Sequence, residues 1–153
     1  MTGEKNRYKT HEQLWKLEDG DLSTPQHDEL VLQLLYKKNA IKLFSLVYGV
    51  DPDFIDESDV NIESELPITS NTDFIIGYID IAISVSRQDS TPIILFVEVK
   101  PKIKSFGETL RQLKTYMNYK KFNYVVYSPD ISFRNAFQTQ KIGLFSPSDL
   151  GLK

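Results

Sequence analysis

Five consecutive apolar residues, Ile93-Ile94-Leu95-Phe96-Val97, run directly into Glu98-Val99-Lys100-Pro101. A strand that is apolar at every position buries both of its faces, which places it inside a sheet covered on two sides. Pro101 closes it, because proline has no N–H to give to a ladder. Glu98 and Lys100 are two positions apart, so both side chains leave the same face. A buried strand that ends by presenting an acid beside a base can be a chemical site or a structural ion pair, and this segment alone does not separate the two.

The rest of the chain supplies what such a strand needs. Thr24 can cap a helix that has Pro25 at its first position. Leu30, Leu34, Leu35, Ile41, Phe44 and Leu46 then recur at roughly helical spacing, which predicts one helix over residues 26–47 ended at Gly49. Strands are predicted over 60–68, 74–85 and 93–100, joined by Asn71-Thr72-Asp73 and Gln88-Asp89-Ser90, a three-strand meander. A helix over 105–120 follows, with Phe106, Leu110, Leu113 and Met117 on one face, and then a short strand over 123–128. Residues 131–140 read as a helix or a loop, 142–145 as a last short strand, and 11–17 as a short helix. A helix between the third and fourth strands makes that pair parallel. The fold class is therefore α/β, a central mixed sheet flanked by helices in the order αβββαβ. The 153 residues make one domain with a core at about 24–128 and peripheral segments at 1–22 and 129–153.

Charge is unevenly spread. Net charge is −3, yet residues 51–65 carry seven acids and no Lys or Arg, while 100–121 carry seven bases against the single acid Glu108. The basic segment, with Lys102, Lys104, Arg111 and Lys114, could track a phosphate backbone or form a solvated helix face. With no cysteine, disulfides, thiolate metal sites and a cysteine nucleophile are excluded. No apolar run approaches the ~20 residues that span a bilayer. Residues 1–16 have no secretory pattern, so a soluble cytoplasmic protein is the expectation.

Asp80 lies within Gly77-Tyr78-Ile79-Asp80-Ile81-Ala82, a carboxylate in an apolar strand, which is costly unless its charge is compensated. If the second and third strands are antiparallel neighbours, Asp80 and Glu98 come close on one face. Two carboxylates at short range repel, and Mg²⁺, with Mn²⁺ as a substitute, would remove the conflict because it prefers oxygen ligands and keeps waters. A divalent ion there would activate a water for attack on phosphorus, with Lys100 orienting that water or offsetting growing negative charge. Glu108, Gln112 and Tyr116 form a polar stripe on the next helix, at i, i+4 and i+8, whose plain reading is a solvated face. Glu29 stands in the first turn of the leading helix, where an acid is favoured by the helix dipole in any case. His27, just before it, reads as a capping or surface residue.

Asp80, then Glu98-Val99-Lys100, then Gln112-Leu113-Lys114-Thr115-Tyr116 on the following helix resembles the PD-(D/E)-x-K nuclease superfamily, in particular its RecB-like and archaeal resolvase-like branches. The resemblance covers about residues 24–128 and implies a restriction-endonuclease-like core. It implies that Asp80, Glu98 and Glu29 are metal ligands, Lys100 the motif lysine, and Gln112 and Tyr116 the Q-x-x-x-Y element. Asp80, Glu98, Lys100 and Gln112 are then expected to be catalytic, and Lys102, Lys104, Arg111, Lys114 and Tyr116 to contact nucleic acid. The implied activity is a Mg²⁺-dependent nuclease acting on DNA ahead of RNA, and the resemblance admits a homodimer. No proline precedes Asp80, a departure from the motif's usual form. Three other readings stay open: a catalytically silent nuclease-like binding module, an accessory subunit of a mobile-element or defence system, and an unrelated α/β domain whose acids are structural ion pairs.

Overall fold

The structure is a computed structural model describing residues 24–152; the short helix expected over 11–17 lies outside them. Thr24 caps α1 (Pro25–Leu35), its hydroxyl accepting from the His27 N–H at 3.1 Å. α2 (Lys37–Tyr48) ends at Gly49, whose φ of 67° is the left-handed conformation that glycine tolerates without a Cβ clash. One helix was expected here, and there are two. Tyr36, at φ −77° and ψ 117°, is extended and interrupts them. The Gln33 carbonyl, near the end of α1, is taken up by the buried Asn39 side chain at 2.9 Å, so the break is satisfied from within. The break also alters the apolar stripe. Leu30, Leu34, Ile41 and Phe44 are buried, whereas Leu35 and Leu46 are exposed.

The acidic stretch forms two single 3₁₀ turns, Pro52–Phe54 and Glu57–Asp59. Asp51 and Asp56 cap them by accepting from the N–H groups of Asp53 and Ser58. The Ser58 backbone bond, with the Ser58 hydroxyl, holds the Asp56 carboxyl below its ordinary value.

β1 (Val60–Thr69), β2 (Ile75–Arg87) and β3 (Ser90–Val99) are an antiparallel meander. α3 (Phe106–Tyr119) then crosses over to β4 (Asn123–Tyr127), which pairs parallel with β3. The ambiguous segment contains α4 (Arg134–Thr139), and β5 (Gly143–Phe145) adds a second parallel pair, giving the order β1-β2-β3-β4-β5. A turn at Pro147–Leu150 follows. The fold is α/β, a mixed five-stranded sheet with helices on both faces, in the expected order of elements.

β3 explains the layering. Leu95, Val97 and Val99 pack into a cluster with Leu34, Ala40, Leu43 and Phe44 of the leading helices. Phe96 packs into a second cluster with Leu113 and Tyr116 of α3. The unbroken apolar run therefore does face two layers. β1 departs from its expected alternation: Val60 and Ile62 join the first cluster, Leu66 and Ile68 the second. Glu65 lies between them at φ 53°, a left-handed residue that breaks the regular pleat.

Replacing Asn39 by Ala leaves the Gln33 carbonyl without its bond at a buried joint. We expect a stability loss of about 1–2 kcal/mol in urea unfolding. An unchanged midpoint would mean that the joint is held by packing alone.

Candidate active site

The ladder between β2 and β3 stops at the pair Ile81↔Val97. One residue further along, Asp80 and Glu98 would face each other, and there the two strands part. The Val99 N–H, which has no ladder partner on β2, donates instead to Asp80 Oδ2 at 2.8 Å. β3 stays attached on its other side: Glu98 pairs with Val126 of β4, and the Lys100 N–H donates to the Tyr127 carbonyl at 3.0 Å. A fork thus opens between β2 and β3 while β3 and β4 remain together. Asp80, Glu98 and Lys100 line the fork.

All three are buried, Asp80 at 4% exposure and Glu98 and Lys100 at 0%. Lys100 Nζ lies 3.9 Å from Glu98 Oε2. α3 closes the fork on one side. Gln112 Nε2 donates to Glu98 Oε2 and to the Tyr116 hydroxyl, each at 3.3 Å. The stripe expected to be solvated is instead turned toward the sheet: Gln112 and Tyr116 are fully buried, and Glu108 pairs with Arg111 at 2.7 Å. Amphipathicity is a poor guide here, because the polar side chains that α3 buries have polar partners waiting on β3.

α1 closes the other side through His27, whose Nε2 lies 3.2 Å from Asp80 Oδ1. Asp28 Oδ1 is 3.7 Å from Nδ1 of the same ring. Glu29, expected to be a ligand, is exposed and takes no part. Two residues beyond His27 it lies about 200° around the helix, on the side away from the sheet. The sequence does hold a signal for His27. It is three and seven residues before Leu30 and Leu34, and so lies on the buried stripe.

The residues expected to meet nucleic acid divide into three groups. Lys102 and Lys104 are exposed on the loop directly after Lys100. Arg111 and Lys114 are also exposed but engaged, Arg111 with Glu108 and Lys114 with Gln140 Oε1 at 2.9 Å. Tyr116 has no surface and contacts the Gln112 amide instead of a ligand groove; its aromatic ring belongs to the second core cluster.

Among the described residues, no three His, Asp or Glu side chains stand together as a formed metal cluster. His27 and Asp80 are in contact, and Glu98 is drawn toward Gln112 and Lys100. No described helix is long and apolar enough to cross a membrane.

A residue absent from the motif holds the loop at the mouth of the fork. Asp130 Oδ2 accepts from the Ile103 N–H at 3.1 Å, and its Oδ1 accepts from the Ser132 hydroxyl at 2.6 Å and N–H at 3.1 Å. The Ser132 hydroxyl first, then the Ser132 and Ile103 N–H groups and the Lys102 charge, hold this carboxyl below its ordinary 3.8, against the opposing effect of burial.

No family model matches the chain, and no curated protein is significantly similar to it. Among solved structures, the MspJI restriction endonuclease in complex with a 27-mer oligonucleotide is similar at 15% identity and a TM-score of 0.34. The match covers 90% of this chain and 28% of that one, so this chain spans less than a third of its length. So remote a likeness leaves function to be read from the fork itself.

A carboxyl whose folded value is lowered adds stability above its unfolded value and loses it as pH falls through the folded one. Asp130→Ala should therefore lower the urea midpoint at pH 7. The gap to the wild type should close as the pH drops below about 4. A gap that widens in acid would mean that Asp130 acts in some other way.

Proposed function

We propose that this protein is a divalent-metal-dependent nuclease that hydrolyses phosphodiester bonds, DNA ahead of RNA, at the fork between β2 and β3. The observation that carries this reading is the burial of a histidine, two carboxylates, a lysine and a glutamine around one strand separation. A structural ion pair needs only an acid and a base. This group sets a second acid and an imidazole beside that pair, with a glutamine on the first acid.

The donor set suits a hard cation such as Mg²⁺ or Mn²⁺ in its chemistry. Such ions take carboxylate oxygens, tolerate one imidazole and retain waters, so two or three protein ligands suffice. His27 Nε2 and Asp80 Oδ1, at 3.2 Å, are close enough to serve one ion together. The Glu98 carboxylate, now bonded to Gln112, would be the third ligand. When bound, the ion would lower the pKa of a water and offset charge on the phosphoryl oxygens.

The chain's own groups have separate tasks. Asp80 Oδ2 accepts from the Val99 N–H, which holds the carboxylate at the fork. Gln112 orients Glu98 through its amide N–H. Lys100, in a dry site, presents Nζ to where negative charge grows on the phosphoryl group. There it acts more strongly than in water. Its neighbours Lys102 and Lys104, on the exposed loop, would hold the flanking backbone by charge.

Titration with Mg²⁺ or Mn²⁺ should raise the unfolding free energy by about 1.4 to 2.7 kcal/mol at roughly 10 to 100 times Kd. Asp80→Ala should abolish the rise, and Glu98→Ala should slow metal-dependent cleavage of linear, circular, single-stranded and branched substrates by about 10²-fold or more. If the wild type neither gains stability from metal nor cuts any of these, the acids are structural.

A further inference from the structure

Thr109 is not among the residues assigned to the fork so far, yet it is 1% exposed and sits three residues before Gln112 on the buried face of α3. Its hydroxyl is buried, and no described group hydrogen-bonds to it. The same holds for Gln112 Oε1, the other end of the amide whose Nε2 holds Glu98. Burying one such atom is unfavourable, and two within a single helical turn need a common cause.

A threonine in a helix has an easy way to satisfy its hydroxyl, by donating to the carbonyl four residues back. This protein uses it twice. Thr115 donates to the Arg111 carbonyl at 2.8 Å and Thr139 to the Asn135 carbonyl at 3.0 Å. Thr109 does not, although its own N–H reaches the Ser105 carbonyl at 3.2 Å in the regular way. The Ser105 hydroxyl is itself engaged in capping α3 through the Glu108 N–H. The Thr109 hydroxyl is therefore directed elsewhere. Side chains three apart on a helix are neighbours on one face, so both atoms belong to the same buried polar surroundings, where a water with polar partners is retained.

We propose that a buried water joins Thr109 Oγ1 to Gln112 Oε1 and that Thr109 is thereby a positioning residue for the fork. The water donates one hydrogen to Oε1 and accepts from the Thr109 hydroxyl. The consequence concerns the amide's two ends, which are alike in shape. If the amide turned over, Oε1 would face the Glu98 carboxylate, oxygen against oxygen. The Glu98 carboxylate, which only accepts, selects the orientation in which Nε2 faces it, and the bridge holds Oε1 at the other end, so that the amide keeps its place in the fork. Glu98 is then held by a chain of contacts that begins at a threonine outside the motif. The part of this inference that concerns catalysis rests on the nuclease reading; the bridge itself does not.

The test is thermal unfolding of the full chain without metal, for the wild type, Thr109→Val, Thr109→Ser, Gln112→Leu and the Val/Leu double variant. Valine keeps the shape and removes the hydroxyl. If the bridge exists, Thr109→Val strands Oε1 and lowers Tm by about 2–4 °C. Serine retains the wild-type value. In the Gln112→Leu background the valine no longer lowers Tm, because there is nothing left to bridge. If Thr109→Val instead raises Tm in the wild-type background, the hydroxyl was satisfied by nothing and the proposal fails. A water cross-peak to the Thr109 methyl in NMR gives a second measure, and its absence at a well-resolved methyl also overturns the bridge. With Mg²⁺ and a cleavable substrate, Thr109→Val should lower kcat about tenfold with KM unchanged, and Thr109→Ser should restore it. A normal kcat in the valine variant overturns the positioning role. A wild type that cleaves nothing overturns the nuclease reading only, since the thermal cycle judges the bridge without any activity.

Discussion

The site depends on one hydrogen bond, from the Val99 N–H to Asp80 Oδ2. Where two antiparallel strands part, each leaves unpaired backbone groups, and burying those is unfavourable. Here the first freed donor on β3 finds a side-chain carboxylate from β2 in place of a backbone carbonyl. The bond therefore ends the ladder without an unsatisfied N–H and pins the carboxylate at the fork. Glu98, the residue before Val99, follows from it: where β2 has moved away, Glu98 meets Gln112 of α3 and Lys100. His27 closes the group from α1, which reaches Asp80 because Thr24 and Pro25 fix where that helix starts.

This arrangement opposes stability. A lysine and a glutamate at 0% exposure lose their hydration, a loss that attraction across 3.9 Å and the Gln112 bond must offset. Replacing the pair by apolar residues of the same volume is often neutral or stabilising in such settings. The fold carries the group because the sheet is covered twice over. Leu95, Val97 and Val99 on one face and Phe96 on the other supply apolar burial along the same strand that ends in Glu98 and Lys100. Core and site are thus successive parts of β3, the apolar part anchoring the polar one.

The order of elements and the double burial of β3 were legible because both rest on local pattern: a continuous apolar run, a proline stop, turn residues between alternating segments. What was not legible came from partners distant in sequence. Tyr36 is no helix breaker by type, and the break depends on Asn39 reaching back to Gln33. Gln112 and Tyr116 look like a wet face until Glu98 is known to lie beneath them. His27 and Glu29 are two residues apart in one helical turn, and a motif that asks for an acid selects Glu29. The helix phase, with Leu30 and Leu34 buried, selects His27, and in the folded chain phase decides which side chain meets the sheet.

Overall acidity and a phosphate-bearing substrate do not conflict, because the charges are allocated differently. Asp51 and Asp56 are engaged in capping two 3₁₀ turns. Arg111 and Lys114 are tied to Glu108 and Gln140 on the outer side of α3. Lys102 and Lys104, exposed at the mouth of the fork, sit on a loop that Asp130 anchors through Ile103. Exposed positive charge thus stands on the loop directly after Lys100 while the chain as a whole stays negative. Exposed charges more than about 8–10 Å apart are largely screened at physiological salt, so the distant acids would weaken attraction at the mouth only slightly. On the nuclease reading, the loop at the mouth, more than the length of α3, governs the approach of a phosphodiester backbone.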